Sequence, residues 1–265
     1  MLILINARAD MEKAPGAWYT WRVLITQQKI TEIVRTDLDY VVQGFHAHAG
    51  AQNNTQLGSD TAPINESTDQ PCKDIYIRVV TRNIRGLADN LPALVRCRSD
   101  INLIQEVDLL EYRVGELRAS AMQAGYQLFF GDTVQLGTDS NSAHGRRVAI
   151  AIKNQYKVDK LCGIEDESIK TLSPSGRWIK RIMYCSNDCQ ILVASFYGIS
   201  GASNEGVKHI DNEKLVQQLC TRIAINGEVP HILGTDLDDN PVNSETIVEA
   251  IENEVIEDVV SAFYD

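Results

Sequence analysis

The sequence predicts an α/β fold of two packed mixed sheets with helices on the outside. Two observations lead there. Apolar runs of strand length outnumber stretches with helical periodicity, and several of those runs follow one another with no helix between. Strict alternation of strand and helix would instead signal a doubly wound parallel sheet. With 265 residues, 44% of them hydrophobic, the chain has apolar material for one large core or two small ones.

The elements follow in order. Residues 1–43 read as a β-rich N-terminal extension: "LILI" comes first, then "WRVLITQQKITEIV", two β-rich runs around a polar Gln27-Gln28-Lys29 turn. Residues 44–73, from "GFHAHAG" to "STDQPCK", are rich in Gly, Ala, Ser, Asn and Thr and read as a polar linker. From 74 to 265 the signals become regular. "IYIRVVTRNI" is a strand running into a loop, and "INLIQEV" is a short strand ending in a carboxylate. The spacing predicts a helix over 109–124, with Leu110, Val114, Leu117 and Ala121 on one face and Gly125 as its stop. "YQLFFGD" and "RRVAIAIKN" are strands, and "RWIKRIMYC" pairs with "CQILVASFYGI" across a Ser186-Asn187-Asp188 turn. A second helix fits 212–225 with Asp211 as its cap, and a third starts near Glu245 with Ser244 as N-cap.

The formal net charge is −11. That argues against a surface that grips polyphosphate through massed Lys and Arg, because such binding is mostly charge neutralisation. A phosphate ester remains an admissible substrate, since a bound divalent cation reverses the local field. No apolar run approaches the roughly 20 residues that cross a bilayer, and no basic segment precedes the first apolar patch. A soluble, intracellular protein, cytoplasmic or nuclear and without membrane contact, is expected. The six cysteines (Cys72, Cys97, Cys162, Cys185, Cys189 and Cys220) form no CxxC pair and match no zinc spacing. They are expected as buried thiols, with a Cys185–Cys189 disulfide across the hairpin the alternative.

Chemistry gathers where strands end. The strand at 75–81 ends in Arg82-Asn83, that at 101–104 in Gln105-Glu106, that at 191–196 in Tyr197-Gly198, and that at 231–233 in Gly234-Thr235, followed by Asp236 and Asp238. If these strands are neighbours pointing the same way, an Asn, a Glu, a Tyr and two Asp converge at one edge. Hard oxygen ligands, few in number and without Cys or His, are what a Mg²⁺ site uses when phosphate completes its shell.

These motifs resemble the endonuclease/exonuclease/phosphatase (DNase I-like) superfamily. The match runs through "VVTRNIRGL", "INLIQEV", "RRVAIAIKN", "LVASFYGIS" and "PHILGTDLDDNP", in order from about 74 to 265. The resemblance implies a four-layer α/β sandwich, two packed mixed sheets flanked by helices. It also implies phosphodiester hydrolysis dependent on Mg²⁺ or Mn²⁺. By this resemblance Glu106 is the principal metal ligand with Asn83 beside it. Tyr197 contacts the scissile phosphate or helps the leaving group. Asp236 orients or deprotonates the attacking water. Asp238 occupies the slot of an Asn that stabilises the pentacovalent phosphate, and Arg146 or Arg147 touches a substrate phosphate. The spacing most resembles the retroelement-type endonuclease branch, which makes DNA the expected partner. A phosphatase on a small or lipid phosphoester is the alternative, as is an inactive member serving as a binding module.

Three departures stand beside the match. Arg82 replaces the Trp usual before the loop Asn. Asp238 replaces an amide donor with a charge, and two unit charges about 4 Å apart repel by roughly 4 kcal/mol at an effective dielectric of 20. The family's terminal Ser-Asp-His segment has no counterpart, so the domain is expected as a copy truncated at its C-terminus, with an unpaired sheet edge. Taken singly, each residue has a plainer reading. "GTDLDDNP" is an acidic turn before a helix, Glu106 a solvated strand end, Asn83 a turn residue, Tyr197 an amphipathic aromatic, and the two arginines surface charge. His46-Ala47-His48 is similar to the His-x-His metal pair of amidohydrolases, but only about fifty residues carry that likeness and no barrel follows.

Overall fold

The structure, a computed structural model, describes residues 2–6, 19–26, 29–37, 75–84, 86–135, 144–159, 175–186, 189–202, 206–225, 229–237, 243–253 and 256–258. The fold is mixed α/β. Its strands are β1 (Leu2–Asn6), β2 (Tyr19–Thr26), β3 (Lys29–Asp37), β4 (Ile75–Asn83), β5 (Ile101–Gln105), β6 (Leu109–Leu110), β7 (Tyr126–Phe130) and β8 (Val134–Gln135). They continue with β9 (His144–Arg146), β10 (Ala149–Lys153), β11 (Lys157–Asp159), β12 (Trp178–Ser186), β13 (Cys189–Tyr197), β14 (His231–Asp236) and β15 (Ile256–Asp258). The α-helices among the described residues are α1 (Leu87–Arg96), α2 (Val114–Gln123), α3 (Val207–Ile225) and α4 (Glu245–Glu252).

Two six-stranded mixed sheets result, ordered β11-β12-β13-β14-β1-β15 and β3-β2-β4-β5-β10-β7, with a small antiparallel β6-β9-β8 sheet beside them. In the first sheet β13 and β14 run parallel, with Tyr197 opposite Asp236. In the second β4 and β5 run parallel, with Asn83 opposite Gln105. Those two pairings carry the candidate residues to matching strand ends. The strands of the N-terminal segment join both sheets: β1 runs parallel to β14 and β15, and β2 covers the edge of β4 away from β5. The 44–73 stretch, His46 and His48 lie outside the described residues.

Burial explains the layering. Strands β5 and β14 are buried at every position, so both faces of each need a partner. One core cluster joins Ile77, Val79, Leu103 and Ile150 of the second sheet to Ile179, Met183, Ile191, Val193 and Ile232 of the first. A second packs Leu192, Phe196 and Leu233 of the first sheet on Val216, Leu219 and Ile223 of α3 and Ile247 of α4. A third packs Ile104, Leu128 and Ala149 on Leu87, Leu91 and Leu94 of α1 and on Leu117 and Ala121 of α2. No helix among the described residues is long and apolar enough to cross a membrane. Cys97, Cys185, Cys189 and Cys220 are free thiols.

Four local expectations need correction. Helix α1 was not anticipated, because Pro92 sits inside it. A Pro in a helix interior costs about 3 kcal/mol, but burying Leu87, Leu91 and Leu94 returns about 1.5–3 kcal/mol each. Packing wins. The 109–124 helix shortens to α2, since Leu109–Leu110 pairs with β9 as β6 and a 3₁₀ turn spans Glu111–Arg113. Helix α3 begins at Val207, so Asp211 lies within it rather than capping it, and pairs with Lys214 at 3.2 Å. In its first turn Val207 and Ile210 point to solvent, 74% and 55% exposed, so they do not build its core face. The fourth strand does not end at Leu233 but runs through Gly234 and Thr235 to Asp236. Ser244 is the N-cap of α4 as expected, its Oγ accepting Ile247 N–H at 3.2 Å.

Gly234 marks a close approach of the sheets. A Cβ there would stand 2.6 Å from Leu103 Cβ and 2.8 Å from Thr81 Oγ1. Gly234→Ala is expected to lower stability by about 1–3 kcal/mol; a urea midpoint equal to wild type would contradict this packing. His231, at the other end of β14, is 3% exposed and its Nε2 has no hydrogen-bond partner. Burial pushes its pKa down to about 4. The unfolded chain, with an ordinary histidine, therefore binds the proton first as pH falls. Stability is full above about pH 6.5 and is lost progressively toward pH 4. Urea unfolding at about pH 7 and about pH 5 should show wild type losing roughly 2 kcal/mol more than His231→Leu over that interval. Equal losses would refute a neutral buried histidine.

Candidate functional site

Four residues from four strand ends meet where the two sheets abut. Asn83 closes β4, Glu106 follows β5, Tyr197 closes β13 and Asp236 closes β14. Asn83 Nδ2 donates a short hydrogen bond to Asp236 Oδ2, joining the sheets across 153 residues of sequence. Tyr197 O–H donates to Glu106 Oε1 at 2.7 Å and lies 2.5 Å from Ser200 Oγ. An ionised carboxylate has no proton to give. The phenol proton therefore points to Glu106, and Ser200 donates to the phenol oxygen. Burial, with the Glu106 and Asp236 carboxylates nearby, holds the Tyr197 hydroxyl protonated far above the ordinary phenol range.

Glu106 takes its position through its backbone. Its φ is 50°, in the left-handed region that costs a non-glycine residue roughly 1–2 kcal/mol. Neighbouring bonds fix it there: Ile84 N donates to Gln105 O at 3.0 Å, and Val107 N donates to Arg147 O at 2.9 Å. A straight continuation of β5 would carry the side chain elsewhere. Such outliers persist when their surroundings over-determine them, and they gather at functional sites.

Beneath the four residues lies a buried polar bridge that the sequence did not announce. Gln105, fully buried, donates from Nε2 to Ser195 Oγ at 3.0 Å and to Gly234 O at 3.2 Å. Ser195 Oγ in turn donates to Ile104 O at 3.0 Å. Arg177 was also missed. Its Nη1 donates to Gly198 O, and its guanidinium lies over the Tyr197 ring at 5.1 Å, bracing the strand end that carries the phenol. The one signal for Arg177 is its place just before the apolar run "WIKRIMY".

The remaining expected residues fall differently. Arg146 spends its guanidinium on Glu111, at 2.7 and 2.8 Å, and on Gly131 O at 2.5 Å. Arg147 reaches Gln135 O at 3.3 Å. None of these bonds reaches the four converging residues. Asp238 lies outside the described residues. Arg82 is 3% exposed, and burial first of all lowers its pKa. Its side chain therefore stays inside the fold.

Among the described residues no group of three or more His, Cys, Asp or Glu side chains gathers as a ready metal cage. The donors that do meet are the hard oxygens of two carboxylates and an amide. Mg²⁺ commonly uses one or two carboxylates, keeping several waters and taking substrate phosphate as well. In donor chemistry the set is compatible with that ion.

The polar bridge makes a testable claim. Removing Gln105's donor leaves Ser195 and Gly234 short of a buried partner, at about 1–3 kcal/mol. Gln105→Leu and Ser195→Ala should be non-additive in a double-mutant cycle, by about 0.5–3 kcal/mol in unfolding free energy. Additive losses would show that the two side chains do not act together. No protein-family model matches the chain, and no curated protein matches it.

Proposed function

We propose that this chain is a divalent-metal-dependent phosphodiesterase built on a four-layer α/β sandwich, with DNA the leading substrate. One observation carries the reading: Asn83, Glu106, Tyr197 and Asp236, singled out by motif order, share hydrogen bonds at one inter-sheet edge. Glu106 and the Asn83 side-chain oxygen would hold Mg²⁺ or Mn²⁺. That ion, when bound, supplies a Lewis acid and a charge clamp for the phosphate.

The chain's own residues supply the rest. Asp236, oriented by Asn83, aligns a water and takes its proton. Tyr197, its O–H turned away from Glu106, would offer the phosphate or leaving oxygen a hydrogen bond, and its raised pKa keeps that proton in place at neutral pH. Ser200 and Arg177 hold the phenol in line. A second reading, hydrolysis of a small phosphoester, is favoured by the net charge of −11, which disfavours a long polyanion.

Supercoiled-plasmid nicking with Mg²⁺ and with Mn²⁺ tests the proposal. Wild type is expected to nick, with Glu106→Ala and Asp236→Ala each reducing the rate by on the order of 10²-fold or more. Nicking that persists in both variants, or its absence in wild type, would remove the nuclease reading. Release of phosphate from a small ester by wild type alone would then favour the second.

A further inference from the structure

The loops that follow β13 and β14 carry Ser200 and Leu237, and they leave directly from Tyr197 and Asp236. They touch backbone to backbone. Gly198 N donates to Asp236 O at 2.6 Å, and a Cβ on Gly198 would stand 2.6 Å from the Leu237 carbonyl carbon. Asn212, in the second turn of α3 and 5% exposed, spans both loops: its Oδ1 accepts Ile199 N–H at 2.8 Å and its Nδ2 donates to Leu237 O at 3.2 Å. Asn is a poor residue for a helix interior. A side-chain amide, however, supplies one acceptor and one donor on a short stem, which Asp, Ala and Leu do not.

We propose that Asn212 is a positioning residue, a latch that sets the placement of the Tyr197 hydroxyl relative to the Asp236 carboxylate. It acts through the two loops and touches neither reacting group. The catalytic consequence rests on the phosphodiesterase reading, while the geometric one does not. Asn212→Asp keeps the acceptor for Ile199 but turns an acceptor toward the Leu237 carbonyl. Asn212→Ala removes both bonds. Gly198→Ala pushes the same loops apart from the other side.

Two readouts keep the latch separate from the function. In protein labelled with ¹³C at tyrosine Cζ, the Tyr197 resonance, assigned with Tyr197→Phe, is expected to shift in all three variants. The other eight of the nine tyrosines should hold their positions. On bis(p-nitrophenyl) phosphate with Mg²⁺, kcat is expected to fall about tenfold or more with KM nearly unchanged, as for a group whose effect is felt in the transition state. A Tyr197 resonance that stays put in folded Asn212→Asp and Gly198→Ala overturns the latch, as does a loss confined to KM. If wild type itself does not turn over, the phosphodiesterase reading falls. The resonance then still decides whether Asn212 positions Tyr197.

Discussion

The side chain of Gln105 is the contact on which the arrangement of this protein turns. It sits at the end of β5 in a fully buried position and spends its amide on the opposite sheet, at Ser195 and Gly234. Apolar packing alone fixes how far apart two sheets lie, but it leaves them free to slide, because it has little direction. A buried amide has direction. Losing a partner there costs more than making the bond contributes, so the register between β5 and the β13–β14 pair is set by a penalty for error. Gly234 makes the approach close enough for the bond to form. One residue beyond, Glu106 meets Tyr197 and Asn83 meets Asp236.

That placement decides the chemistry available. Asp236 is 2% exposed, a buried carboxylate oriented by an amide. Glu106 accepts a hydrogen bond from the Tyr197 phenol, whose burial keeps it protonated near neutrality. Two carboxylates near one buried hydroxyl form a locally acidic site within an acidic protein. A cation relieves that field, whereas a bare phosphate would worsen it. On the phosphodiesterase reading proposed above, this electrostatics favours a metal-dependent reaction over an unaided one.

How much of this was legible beforehand depends on range. The strands were readable because continuous apolar runs such as "LILIN" and "CQILVASFY" announce themselves without knowledge of their partners. The cap at Ser244 was readable because it acts within one turn. Asn83, Glu106, Tyr197 and Asp236 were readable as candidates from motif order, and the sheets bring all four together. Gln105, Ser195 and Asn212 were not readable, since their partners lie 90, 90 and 25 residues away and a pattern of polarity does not name them. The left-handed turn at Glu106 was hidden for the same reason: nothing local asks a glutamate to adopt it. Helix α1 was hidden by Pro92, whose local cost is outweighed by three leucines that only the folded chain buries.

The central claim is that these four strand ends form one cation-binding centre. Crystals of the full chain soaked in Mn²⁺, with anomalous differences measured at the manganese edge, test it most directly. The account predicts a peak within coordination distance of Glu106 and the Asn83 side-chain oxygen, and its loss in Glu106→Gln. A clear map with no peak there, or with manganese bound only at a distant surface site, would contradict it.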